Sequence, residues 1–135
     1  MNDKLRALLT KHEGWKLFPY VDTVGKTTIG CGRNLTDRGI SNEEALYLFS
    51  NDVDIAVLDL MRIFPDFSGW TENRRNALID MMFNIGNTRF LGFKKMIAAI
   101  KVDDWTTAAN EMRHSKWAEQ LPSRVAELAD MCEEG

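Results

Sequence analysis

The chain has 135 residues, 44% of them hydrophobic, and a formal net charge of −3 at pH 7. That length gives one compact domain with room for two lobes, and the apolar share is enough for a real core. No apolar run is long enough to span a bilayer, the opening residues show no secretory core, and the overall acidity weighs against nucleic acid as a partner.

The first helix is capped by Asn2 or Asp3, and its Leu5, Leu8, Leu9 and His12 share one face. Gly14 suits the position just past a helix end. Glu13 therefore stands at the negative end of a helix dipole, the wrong end for an anion and a setting a general acid can use. Lys16 to Val21 reads as a strand, and Pro19 confines it to a sheet edge or an irregular position. Asp22-Thr23-Val24-Gly25 is turn chemistry, and Lys26 to Cys31 returns as a second strand. Such a hairpin brings Asp22 and Thr28 together, and a carboxylate beside a hydroxyl can hold one water. Gly30 and Gly32 weaken a strand unless a ligand or another backbone must come close. Two carboxylates near such a surface point to general acid and base work on a bulky polar substrate.

Residues 34–40 read as a loop, and Ser41 with Glu44 as a capping box. The helix that follows runs to about Arg62, with Ala45, Leu48, Phe49, Val53, Ala56, Val57 and Leu60 as its apolar face. Phe67 to Trp70 is a connector. Thr71 caps a helix carrying Ala77, Leu78, Met81, Met82 and Ile85, whose apolar density implies burial on several sides and which is expected to stop at Gly86. Asn87 to Gly92 is rich in turn residues, and Phe93 to Lys101 is a short amphipathic helix. Asp103 or Asp104 caps another with Trp105, Ala108, Ala109 and Met112, and Pro122 suits the first turn of the last. Cys31 and Cys132 read as free thiols, and two histidines cannot make a metal site unaided. No cofactor is expected.

Residues 1–40 carry seven Lys or Arg against four Asp or Glu, a basic front part that suits an anionic polymer. Taken singly, Glu13 reads as a solvated charge, Asp22 as turn chemistry and Thr28 as an ordinary strand residue. Their joint spacing favours a catalytic reading.

The pattern His12-Glu13-Gly14, then Tyr20-Val21-Asp22-Thr23 and Gly25, then Thr28-Ile29-Gly30 and Gly32, resembles the phage-type lysozymes, the muramidases of phages and prophages. The resemblance implies an α+β fold: a sheet lobe over about 14–40, a connecting helix over about 42–62, and a helical lobe over about 66–135 with helix 3–13 packing on it. It implies that Glu13 is the general acid and that Asp22 and Thr28 position and activate the attacking water. The reaction implied is an inverting hydrolysis of the bond between N-acetylmuramic acid and N-acetylglucosamine; a lytic transglycosylase or a non-catalytic peptidoglycan-binding module of the same fold are the alternatives. Phe83 and Asn84, on a stretch that resembles the family's central helix, would line the cleft, and Asn34 and Asn110 would contact the glycan. Arg124, within the Trp-Gln-Pro-Arg signature, would reach back to Glu13. Arg33 would pair with Asp52, in a place where familiar relatives have His, and an always-charged Arg would remove a pH switch. The expected setting is a monomer held in the host cytoplasm until lysis, released by a holin-type partner, acting on peptidoglycan.

Overall fold

A computed structural model describes residues 1–135. Asn2 caps the first helix, α1 (Asp3–Glu13): its side chain accepts from the Leu5 N–H at 2.8 Å. Gly14 ends it with φ +81°, donating its N–H to Thr10 O at 2.9 Å. Three antiparallel strands follow in the order β1 (Lys16–Val21), β2 (Thr27–Gly30), β3 (Arg33–Asn34). β1 is an edge strand, and its register with β2 is broken between Lys16 and Tyr20, so Pro19 has both an edge and an irregular position. Pro19 lies in that gap and has no N–H to give a ladder. Beyond it the pairs are regular, Tyr20 with Thr28 and Val21 with Thr27.

The stretch read as a loop after the glycines is more ordered than expected. Arg33 and Asn34 complete the sheet, and Asn34 caps a one-turn helix, α2 (Leu35–Arg38). The long α3 (Asn42–Ile63) begins with the capping box: Ser41 Oγ accepts from the Glu44 N–H at 3.1 Å, and Glu44 Oε1 accepts from the Ser41 N–H at 2.9 Å.

After a 3-10 turn at Phe67–Gly69 come α4 (Glu72–Leu91), α5 (Lys94–Lys101), α6 (Trp105–Arg113), α7 (Lys116–Gln120) and α8 (Pro122–Glu134). Thr71, Asp104 and Ser115 cap α4, α6 and α7 through their side chains, and Pro122 opens α8. α6 packs on α8 and α5, and α4 on α8. The expected stop at Gly86 is a kink instead: Gly86 takes φ +78° and ψ 167°, and the helix resumes to Leu91. Phe90, wholly buried, anchors the resumed turn.

The chain divides into two units, Met1–Tyr47 and Leu48–Gly135, with the boundary inside α3 and α1 grouped with the sheet. The buried hydrophobic core begins at Ala56 and is built wholly from the second unit, around Leu60, Leu78, Met81, Phe90, Met112 and Trp117. Of the apolar face expected for α3, Ala56 and Leu60 are buried, whereas Leu48 and Phe49 are exposed. α1 buries no residue. Eight α-helices and one small antiparallel sheet place the chain in the α+β class.

Candidate functional site

The stretch that drew attention in the sequence lies entirely in the first unit. Its geometry follows from the turn between β1 and β2. Asp22 folds that turn with one carboxylate oxygen: Oδ1 accepts from the Val24 N–H at 3.0 Å and the Lys26 N–H at 2.8 Å. The backbone closes the same turn, Asp22 N donating to Lys26 O at 2.9 Å and Gly25 N to Asp22 O at 3.1 Å. Asp22 Oδ2 takes no hydrogen bond from the protein.

Thr28 is the one buried polar residue of the chain, 4% exposed. Its Oγ1 donates to Lys26 O at 3.0 Å. Asp22 and Thr28 thus hold Lys26 from two sides, one through its N–H and the other through its carbonyl. The register puts both side chains on one face of the hairpin: Thr28 stands opposite Tyr20, and Tyr20 and Asp22 are two residues apart. With its proton committed to Lys26, the Thr28 oxygen keeps its lone pairs for a water. Lys26 itself is held outward by Asp37, Nζ to Oδ1 at 3.2 Å.

Glu13 is the last residue of α1, and its side chain is exposed. It lies against the turn between β2 and β3. A Cβ placed on Gly32 would stand 2.8 Å from Glu13 Oε2 and 3.1 Å from its Cδ. Of Gly30 and Gly32, only Gly32 would bring a Cβ against a neighbour, and that neighbour is Glu13.

Beside this turn, Arg33 forms a two-pronged ion pair with Glu44, Nη1 to Oε1 and Nη2 to Oε2, both at 2.8 Å, and Nη1 also donates to Gly39 O at 3.3 Å. The expected partner, Asp52, belongs to the second unit; within the first unit Arg33 has Glu44, which the capping box already fixes at the start of α3. The Arg33 guanidinium and the two Ser41 hydrogen bonds hold the Glu44 carboxyl well below its usual range, at about 2, and the same pairing raises Arg33. Asn34 spends its side chain on α2, Oδ1 accepting from Asp37 N and Nδ2 donating to Asp37 Oδ2.

The remaining candidates lie in the second unit. Phe83 is exposed and tilts against Phe49 at 6.0 Å between ring centres. It borders two hollows. One, of about 280 Å³, is shared with Asp52, Asp59 and Asn87. The other, of about 340 Å³, is shared with Phe49, Asn76, Asp80 and Arg124. Asn84 Oδ1 accepts from Trp117 Nε1 at 2.8 Å, which fixes the buried indole. Asn110 is exposed and accepts from Arg113 Nη1 at 3.0 Å. Arg124, for which the resemblance implies a link to Glu13, donates through Nε to Asp80 Oδ1 at 2.7 Å. Nothing near Arg124 in the sequence signals Asp80, which lies 44 residues away on a different helix. No three His, Cys, Asp or Glu side chains cluster to hold a metal ion, and no helix is long and apolar enough to cross a membrane.

Two proteins of Dictyostelium discoideum, probable T4-type lysozymes 2 and 1, are 27% and 28% identical to this chain over 164 and 165 residues; each match spans the whole chain and 96% of the relative. The pre-baseplate central spike protein Gp5 of Enterobacteria phage T4 is 26% identical over 155 residues, which cover 94% of this chain and 27% of that protein. The phage lysozyme family model matches residues 10–130, which takes in Glu13, Asp22, Thr28 and every helix from α2 to α7. On that match, which covers well over half of its length, the chain belongs to the phage lysozyme family.

Proposed function

We propose that the chain hydrolyses the β-1,4 bond between N-acetylmuramic acid and N-acetylglucosamine in peptidoglycan, as a muramidase serving host cell lysis. The observation that carries the reading is the pairing of Asp22 and Thr28 about Lys26, in a chain whose family is phage lysozyme. Glu13 gives its proton to the glycosidic oxygen as the bond from the anomeric carbon breaks. A water attacks that carbon from the opposite face. Asp22 Oδ2 accepts one of its protons, and Thr28 Oγ1 accepts a hydrogen bond from the other, so the water's lone pair points at the sugar. A displacement from the far face inverts the anomeric centre. The chain acts as an endolysin, held in the host cytoplasm until a holin-type partner admits it to the wall. The basic excess of residues 1–40 favours an anionic wall polymer.

The test is turbidity loss of bacterial cells stripped of their outer membrane, wild type beside Glu13→Gln. The expected result is clearing by the wild type and a loss of at least about 100-fold in the variant, the scale of a general acid. Equal clearing by both would remove Glu13 from the chemistry. Wall binding without clearing by either would make the chain a binding module. Reducing sugar ends in the products are expected; anhydro ends would mark a transglycosylase.

A further inference from the structure

The contact between Glu13 and Gly32 has a consequence for catalysis. Glu13 is a flexible side chain at a helix end, exposed, and no hydrogen bond from the protein holds its carboxylate. What stands beside it is Gly32. A methyl on Gly32 would come within 2.8 Å of Oε2, 3.1 Å of Cδ and 3.3 Å of Cβ, so the glutamate occupies the space that any side chain on Gly32 would need. A Cβ at 2.8 Å is closer than real Cβ contacts come, so Glu13 or the Gly32 backbone would have to shift. The backbone is the less free of the two. Gly32 joins β2 to β3, and the next residue, Arg33, is clamped to Glu44.

We propose that Gly32 is a positioning residue for the acid: its bare backbone sets the direction in which Glu13 presents its proton, and any side chain there displaces the carboxylate. The proposal rests on the muramidase reading, in which Glu13 is the proton donor. A displacement of about 1 Å at a reacting group costs on the order of 100-fold in rate.

Gly30 supplies the control. It has φ +68° against +75° for Gly32, so alanine at either site carries a similar left-handed backbone penalty, but a Cβ on Gly30 meets nothing within 4 Å. Gly30→Ala and Gly32→Ala are compared with wild type for thermal midpoint, kcat and KM on soluble peptidoglycan fragments, and the pH profile of kcat. Similar losses in thermal midpoint are expected. Gly32→Ala alone is expected to lower kcat by about 100-fold, to leave KM within a few fold, and to move the limb of the profile that belongs to the acid. Equal kcat losses in the two variants, or an unmoved limb in Gly32→Ala, would overturn the proposal. Should Gly32→Ala fail to fold, side-chain couplings of Glu13 in the wild type decide: one fixed rotamer is expected, and free averaging would overturn it. Glu13→Gln keeps the two claims apart. If that variant stays active, the muramidase reading fails; if it is dead while the alanine variants behave alike, only the role of Gly32 fails.

Discussion

Thr28 shows how much of the proposed site rests on single atoms. Its hydroxyl proton goes to Lys26 O, yet that carbonyl also accepts from the Asp22 N–H. Removing the hydroxyl therefore leaves no orphaned acceptor, and Thr28→Val is expected to cost at most about 1 kcal/mol in urea unfolding. Wall clearing by the same variant is expected to fall on the order of 100-fold, because the water loses one of its two acceptors. Thr28→Ser, which keeps the oxygen, should recover most of that rate. A Thr28→Val enzyme as fast as wild type would take the water away from this residue. Asp22 and Thr28 were legible in the sequence because their arrangement is local: turn chemistry places one, and strand alternation across six residues places the other. The Arg124–Asp80 pair was not, since nothing near either residue announces a partner 44 positions away. Glu44 was half legible, its cap visible and its second bond to Arg33 hidden in the tertiary fold.

That second bond joins two elements, the end of the sheet and the start of α3, and it carries a pH dependence. Glu44 is held at about 2 against an ordinary 4.5, first by the Arg33 hydrogen bonds and then by Ser41. A carboxyl depressed by folding adds stability that is complete above its unfolded value and is lost as pH falls through the folded one. The junction of β3 with α3 should thus be intact at pH 5 and loosen between about 4.5 and 2. Carboxyl chemical shifts of Glu44 would follow it. In Arg33→Lys the charge stays but the fork is lost, so the Glu44 midpoint should move upward; an unmoved midpoint would leave Ser41 as the dominant cause. At this scale most helices could be read from their caps, as Ser41, Thr71, Asp104 and Pro122 show. Gly86 misled because a glycine after an apolar run signals a stop, whereas the buried Phe90, 6.2 Å from Phe64 between ring centres, draws the chain back into a helix. The short β3 and α2 escaped because two and four residues carry too little periodicity to register.

The molecule as a whole divides its tasks unevenly. Glu13, Asp22 and Thr28 belong to the first unit, and the buried hydrophobic core belongs to the second. Hydrogen bonds exposed to solvent and few buried contacts mark the parts of a fold that open most readily. The sheet amides are therefore expected to exchange by local opening, and those of α4, α6 and α8 only by unfolding of the core. Cys132 offers an independent probe of that core. It is fully buried on α8, and burial pushes its thiol up to about 12 from an ordinary 9.0. Folding favours its neutral form, so the stability it contributes is complete below pH 9 and fades as pH rises from there toward 12. Alkylation needs the thiolate, so at pH 8 Cys132 should react only when α8 leaves the core. Its labelling rate should rise with urea in step with the slowest α8 amides, while the amides of β1 and β2 exchange far sooner. Labelling of Cys132 at the pace of the sheet amides would mean that both units open together, and that the proposed catalytic unit is as firmly held as the core.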